Sequence, residues 1–429
     1  MAATSRRAVL TGMGVLNSAG LTPAAYWDAL RARRSGIRLI QSFDTSGLPV
    51  RFAGEIRQFN AKDYIDKKER KSLKVMARTI QLAVAAAQGA LDDSGIDKSS
   101  LDPTRFGVAF GAGLIASELE ELGDASQISA NGQIGSVDLD KWGSQGLATM
   151  PPLWMLKYLP NMLACHVAIL HNAQGPNNSI TENDVASLLA MGEGFRILKR
   201  DQADFLLVGG AESKINPLSL VRQCLYEPLS RRNDAPERAC RPFDRNRDGM
   251  VLGEGAGVLV LEELEHAKRR GARIYAELVG FGAAFDRDRS GAGLARAIRA
   301  ALNGAGVSPG DIDHINGNGA SGVETDVWEA RGLREVFGSC DPPVPVFAVK
   351  SYIGNLGAGG GLTELAASLL ALQHGAVPPT LNYEESDPAC PIPVIAGDPR
   401  PVTRPYVLKV SFTQMGQCAA LVCRKWNHE

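Results

Sequence analysis

Short apolar or β-branched runs alternate along this chain with longer segments of helical periodicity. Strands are predicted at Ala8–Leu10, Phe106–Phe110, Phe205–Gly209, Gly257–Leu261, Ile274–Val279, Val346–Val349 and Ala419–Cys423. Between the first two, Leu73, Met76, Ile80, Val84, Ala87 and Leu91 recur at three- and four-residue steps and make one apolar helical stripe. Strands separated by such helices form α/β layers. A charged helix, Glu262–Gly271, closes the first half, and Arg273–Phe281 then opens a strand punctuated by glycine, as Arg7–Gly14 does at the start. The match predicts an internal duplication of two α/β halves. The stretch 111–160, with its Gly, Ser, Asn and Trp, is expected to supply caps and interface loops.

At 429 residues the chain has room for one large α/β unit made of two fused halves. Lys plus Arg (46) balance Asp plus Glu (47), so no global field draws the protein to nucleic acid or anionic lipid. Seven cysteines, at 165, 224, 240, 340, 390, 418 and 423, form no Cys-x-x-Cys pair and no zinc pattern with histidine. Reduced thiols in a cytoplasmic protein are expected, with no metal. Ser5-Arg6-Arg7 before Ala8-Val9-Leu10 superficially resembles a twin-arginine export signal, but Gly12, Gly14 and Asn17 break the apolar run that such a signal needs. No run of about 18 apolar residues predicts a membrane span.

Gly12-x-Gly14 after a strand resembles a dinucleotide fingerprint, yet the third glycine position holds Asn17 and no acidic residue ends a second strand nearby. Neither a Walker A sequence nor a Gly-x-Ser-x-Gly elbow is present.

One long motif does carry a family. Arg241-Pro-Phe-Asp-Arg-Asn-Arg-Asp-Gly-Met-Val-Leu-Gly-Glu-Gly-Ala-Gly257, continuing through Leu261–Lys268, closely resembles the signature downstream of the nucleophile in β-ketoacyl-acyl-carrier-protein synthases of the ketosynthase II and polyketide type. Val9–Val15, Val208–Glu212, Leu229–Asp234 and Val377–Asn382 resemble further segments of that family, in the same order. The resemblance implies an α/β, thiolase-like fold of two similar halves in a layered αβαβα unit, divided as residues 1–256 and 257–429 and usually dimeric. It also implies a substrate carried on the phosphopantetheine arm of an acyl carrier protein, with no bound cofactor.

Ketosynthases use a cysteine at a helix N-terminus, where the dipole favours the thiolate, and two histidines that act on the malonyl group. Counted from Gly175-Pro176, the nucleophile position falls on Asp184. The first histidine motif reads Asn316-Gly-Asn318-Gly-Ala-Ser-Gly322, and the second reads Lys350-Ser-Tyr-Ile-Gly-Asn355, so Asn318 and Asn355 stand at the histidine positions. None of His166, His171, His266, His314, His374 or His428 falls at a family catalytic position. Lys350 and Glu364 match residues that support the family's site, and Asp326 matches a structural aspartate. In the C-terminal loop, Phe412 and Gln414 occupy the gate and oxyanion segment, and Thr413 and Met415 replace two glycines that would let it move.

Asp184 lacks the chemistry to hold a chain as a thioester, and asparagine does not cycle a proton near neutral pH as histidine does. Two kinds of role are open to Asp184: N-cap of the helix running towards Lys199, or a specific role such as closing the pocket or binding the carrier arm. Lys67, Lys68, Arg70, Lys71 and Lys74, at the start of the striped helix, are either a docking patch for an acidic carrier protein or a solvated face. The resemblance points to a non-condensing subunit like the chain-length factors, which pairs with an active ketosynthase; those carry Gln at the cysteine position, so Asp184 departs from them as well. An enzyme of altered reaction using Asp184, Asn318 and Asn355, or a homodimeric acyl-binding scaffold, are the alternatives.

Overall fold

The computed structural model describes residues 6–130, 132, 133 and 135–427. The first half contains β1 (Ala8–Asn17), α1 (Arg78–Ser94), β2 (Phe106–Ala112), β3 (Asn177–Thr181), α2 (Ala186–Lys199), β4 (Phe205–Glu212), α3 (Pro217–Tyr226) and β5 (Gly255–Glu263). The second contains β6 (Ala276–Phe285), α4 (Ala292–Ala305), β7 (Ile312–Asn316), α5 (Thr325–Phe337), β8 (Val346–Phe347), α6 (Gly360–His374), β9 (Tyr406–Phe412) and β10 (Gln417–Lys425). Their sheet runs β8-β7-β9-β10-β6-β1-β5-β4-β2-β3. Outward from the centre the two halves have the same permutation, β1-β5-β4-β2-β3 and β6-β10-β9-β7-β8, which bears out the duplication.

The halves join where Ala8, Val9 and Leu10 pair antiparallel with Leu278, Glu277 and Ala276. Helices α2 and α6 pack against each other and against strands of both halves, while α1 covers the outer face of the first half and α4 and α5 that of the second. This gives the αβαβα layering. Strands β4 and β5 are buried at every position, which is why they read as continuous apolar runs. Residues 255–263 form one strand of the first half, so the expected division at 256/257 falls inside β5.

The Gly12-x-Gly14 pair has a packing role. A Cβ at Gly14 would stand 1.9 Å from the carbonyl oxygen of Ala86, and one at Gly12 would stand 2.4 Å from that of Ala90, so only glycine lets α1 lie this close to β1.

The expected helical stripe is divided by the structure. Ile80, Val84, Ala87 and Leu91 lie on α1, but Leu73 belongs to a separate 3₁₀ segment, Lys67–Val75, and Met76 to the extended break between them. Three strands of the ten-stranded sheet lie outside the sequence expectation: β3, β7 and β9. β3 is a polar edge strand, and β7 and β9 bury Asp313, His314 and Lys409, whose polarity hides the strand pattern. At Val346–Val349 only the first two residues pair; Val349 already caps the short helix Lys350–Ile353.

Candidate functional site

The turn carrying Asp184 is set by close backbone packing. Residues Asn183–Val185 form a 3₁₀ turn that runs into α2. A Cβ at Gly111 of β2 would meet Ser187 N at 2.3 Å, one at Gly210 of β4 would meet Ala358 O at 2.2 Å, and one at Gly361 of α6 would meet Leu188 Cδ1 at 2.0 Å. Three elements therefore press glycine backbone against the first turn of α2 and the segment beside it, fixing Asp184 at the boundary between the halves. The segment 357–359 packs on the same turn.

Asp184 does not cap α2. The N-cap residue is Val185, and no side chain caps the helix. The Asp184 Oδ1 atom is buried and has no hydrogen-bond partner. Its backbone carbonyl lies 2.8 Å from Ser411 Oγ, which is also 3.2 Å from Asn318 Oδ1. Ser411 thus bridges Asp184 to Asn318.

Asn318 is buried, and Lys350 Nζ donates both to its Oδ1 (3.0 Å) and to its carbonyl oxygen (2.9 Å). The amide oxygen is therefore occupied, and Nδ2 is the end left to donate. Asn355 is turned to local work: its Oδ1 accepts from Gly357 N at 3.2 Å and its Nδ2 contacts Met250 Sδ. Asp184 and Asn318 are thus linked through Ser411, whereas Asn355 is tied into its own turn.

Behind them lies a buried charge cluster. Glu364 pairs with Lys350 at 2.8 Å through Oε1 and with Lys409 through Oε2, and all three are buried. Burial opposes the Glu364 charge, but the two ammonium groups outweigh it and hold the carboxyl below its usual range. Burial also opposes the Lys350 charge, yet Glu364 and Asp184 keep the ammonium above its ordinary value. Burial pulls Lys409 down to about 8. Glu329 accepts from Asn318 N at 2.6 Å and Gly319 N at 2.8 Å, and burial pushes its carboxyl up to about 7. Asp326 accepts from Phe243 N at 2.8 Å and sits 3.9 Å from Arg247, tying the 241–257 motif to the loop after Asn318; burial raises it to about 6.

On the other side of Asp184, Lys214 pairs with Glu212 at 2.8 Å, and Glu212 Oε2 accepts from Ala358 N at 2.6 Å. Burial opposes the Lys214 charge, and Glu212 and Asp184 more than restore it. Glu227 is raised by burial and by Asp184. Sequence reasoning did not single out Lys409, Glu329, Ser411, Lys214, Glu212 or Glu227. A lysine inside an apolar alternating run, Val407-Leu-Lys-Val-Ser-Phe412, was the signal available for Lys409.

Phe412 ends β9 and is buried, but Gln414 stands exposed at the tip of a four-residue turn joining β9 to β10. Gly416 alone takes positive φ (106°), Thr413 N and Gly416 N donate across the turn, and Gln414 Nε2 donates to Glu227 Oε2 at 2.9 Å. The hairpin geometry needs one glycine, so Thr413 and Met415 are accommodated. The basic group does not begin the striped helix as expected: Lys67, Lys68, Lys71 and Lys74 are exposed on the 3₁₀ segment, and Arg70 is partly engaged with the carbonyls of Lys62 and Ile65. Among the described residues, no group of three or more His, Cys, Asp or Glu converges as a metal site, and no helix is long and apolar enough to cross a membrane.

Residues 5–267 match the β-ketoacyl synthase N-terminal domain and residues 275–384 the β-ketoacyl synthase C-terminal domain. The chain is 34% identical to 3-oxoacyl-acyl-carrier-protein synthase 2 of Vibrio cholerae, over 98% of this chain and 100% of that one. A chain of the ishigamide ketosynthase/chain length factor superposes with a TM-score of 0.87 at 30% identity, covering 99% of this chain and 100% of that chain. A chain from a type II polyketide synthase acyl-carrier protein in complex with its ketosynthase gives a TM-score of 0.82 at 28% identity, with the same coverage. With both domain models matched in order along one duplicated frame, the chain belongs to the β-ketoacyl synthase family.

Proposed function

We propose that this chain is a non-condensing subunit of the chain-length-factor type, acting in fatty acid or polyketide biosynthesis beside an active ketosynthase. One feature carries the reading: by the motif resemblance Asp184, Asn318 and Asn355 stand where the family has its cysteine and two histidines, and all three side chains or backbones are engaged in the surrounding structure. Lys350 occupies the Asn318 amide oxygen and Asn355 caps a local turn. A carboxylate does not carry a chain as a thioester, and no imidazole stands at either position to move a proton. The likeness to the ishigamide ketosynthase/chain length factor supports the same reading.

The partners follow from this. Edge strand β3 has one open side, and Ile169, on the helix packed beside it, is 71% exposed; both are features that a second subunit would cover. The active ketosynthase, or a second copy of this chain, is that subunit. An acyl carrier protein presents the substrate on its phosphopantetheine arm, and Lys67, Lys68, Lys71 and Lys74 offer its acidic surface a docking patch, with Arg70 bracing the segment. No other cofactor is invoked, and the location is cytoplasmic.

The test is a condensation assay with the ketosynthase and carrier protein encoded nearby, run with and without this chain. The subunit reading expects co-purification, product only when the ketosynthase is present, and a change in product length when this chain is omitted. Elongation of acyl carrier protein by the purified chain alone refutes it.

The unpartnered, buried Oδ1 of Asp184 favours a second reading, in which Asp184 acts on an acyl-carrier substrate without carbon–carbon bond formation. Turnover of an acyl-carrier thioester that disappears in Asp184→Asn would support it.

A further inference from the structure

Lys409 is the residue least explained by the family frame. Its side chain is wholly buried, yet Glu364 already has Lys350 as a counter-charge. A second buried ammonium on the same carboxylate is costly unless other groups repay its dehydration. Glu364 and the nearby Glu329 supply part of the compensation, and uncharged oxygens supply the rest. Lys409 Nζ donates to the Gly317 carbonyl at 3.0 Å and to Asn316 Oδ1 at 3.2 Å, besides pairing with Glu364 Oε2. Three donors therefore meet three oxygens, saturating the ammonium.

These oxygens belong to the loop that carries Asn318. Lys350, on the other side of Glu364, takes both oxygens of Asn318 itself. Two ammonium groups flanking one carboxylate thus hold three consecutive residues, Asn316, Gly317 and Asn318, by their oxygens. From the opposite side Glu329 takes the N–H groups of Asn318 and Gly319. The loop cannot hold itself in this way: Gly319 (φ 42°) and Ser321 (φ 63°) are left-handed, and the segment leaves β7 with no regular ladder beyond Asn316.

We infer that Lys409 is a positioning residue: its tethered ammonium fills a three-oxygen cage that would otherwise accept a free primary ammonium ion, and by gripping Gly317 it sets the Asn318 amide. This goes beyond the subunit reading and holds whether or not that reading does. A purely space-filling lysine would be replaceable by a neutral side chain of similar length. A caged ammonium would not, because such a side chain leaves the Gly317 carbonyl and Asn316 Oδ1 without a donor.

Hydrogen exchange of the full chain, followed by mass spectrometry, separates the two. In Lys409→Ala, peptides covering 312–322 should exchange faster by about tenfold, the order expected when a buried carbonyl loses a charge-assisted bond, while β1 is unchanged. Ammonium or methylammonium chloride should restore protection; choline chloride at equal ionic strength, too large for the cage, should not. Lys409→Met should show the same loss with no rescue by any of the salts. Unchanged protection in Lys409→Met overturns the inference, and so does rescue of Lys409→Ala by choline as effectively as by ammonium. Should the alanine variant fail to fold, the methionine variant alone decides.

Discussion

Gln414 Nε2 donates to Glu227 Oε2 at 2.9 Å, tying the tip of the β9–β10 hairpin to the residue that follows α3. A turn of four residues with a single glycine, pinned at its tip, has little freedom to swing. Gln414→Ala should leave the hairpin ladder intact but raise exchange at 413–416 several-fold, with a change in thermal midpoint too small to resolve. Equal protection in the two proteins would show that the hairpin alone holds the turn.

Replacing Asp184 by cysteine places a thiol on the 3₁₀ turn that leads into α2, where the dipole lowers a thiol's pKa. Asp184→Cys is expected to become alkylatable by iodoacetamide at residue 184 and still to give no carbon–carbon bond, because Asn318 and Asn355 remain. Peptide mass mapping reads the first outcome and a malonyl-dependent elongation assay the second. Elongation by this single variant would show that the histidine positions are dispensable.

The Asp184 turn depends on glycine backbone two elements away. A methyl group at Gly111 would lie 2.3 Å from Ser187 N and 2.5 Å from Ala186 C, both main-chain atoms that cannot rotate aside. Gly111→Ala should therefore destabilise the protein by about 1–3 kcal/mol, the usual cost of overpacking. Gly47→Ala, where nothing lies within 4 Å of the added carbon, is the matched control and should be near neutral. Urea unfolding of the two variants makes the comparison.

Two buried aspartates drive stability in opposite directions with pH. For Asp313, burial opposes the charge, but His314 and the amides of Thr403 and Arg404 hold the carboxyl down at about 2. A native carboxyl below its unfolded value gives stability that is present above about pH 4 and lost as pH falls towards 2. Asp326, raised to about 6 by burial, does the reverse: the native state binds the extra proton, so this contribution declines as pH rises from about 4 to 6. Urea midpoints across this range should show a shallower acid limb for Asp313→Asn and a shallower decline above pH 4 for Asp326→Asn. Parallel curves for wild type and both variants would contradict the assignment.

Much of the frame was legible because burial leaves a mark on composition. Strands β1, β2, β4, β5 and β10 are apolar runs since both their faces are covered over most of their length, β6 is covered mainly in its first half, and the duplication showed in the match of Arg7–Gly14 with Arg273–Phe281. Residues 184, 318 and 355 could be singled out because each sits inside a motif whose neighbours resemble the family. Strands β7 and β9 were hidden since their buried polar residues are satisfied by partners distant in sequence: Asp313 by the amides near 403, and Lys409 by Asn316, Gly317 and Glu364.

The amino-acid sequence by itself determined that residues 184, 318 and 355 are Asp, Asn and Asn, carrying neither thiol nor imidazole. The tertiary structure decided what those side chains do. Whether Asp184 caps a helix or faces a pocket, and whether an asparagine amide is free or engaged, depends on hydrogen bonds from Ser411, Lys350 and Gly357, which lie between 2 and 227 residues away along the chain. The Ser411–Asp184 bond forms only when the two halves close on each other, and the Lys350–Asn318 bond only when the second half folds, so no local pattern encodes either; only the Gly357–Asn355 bond is local.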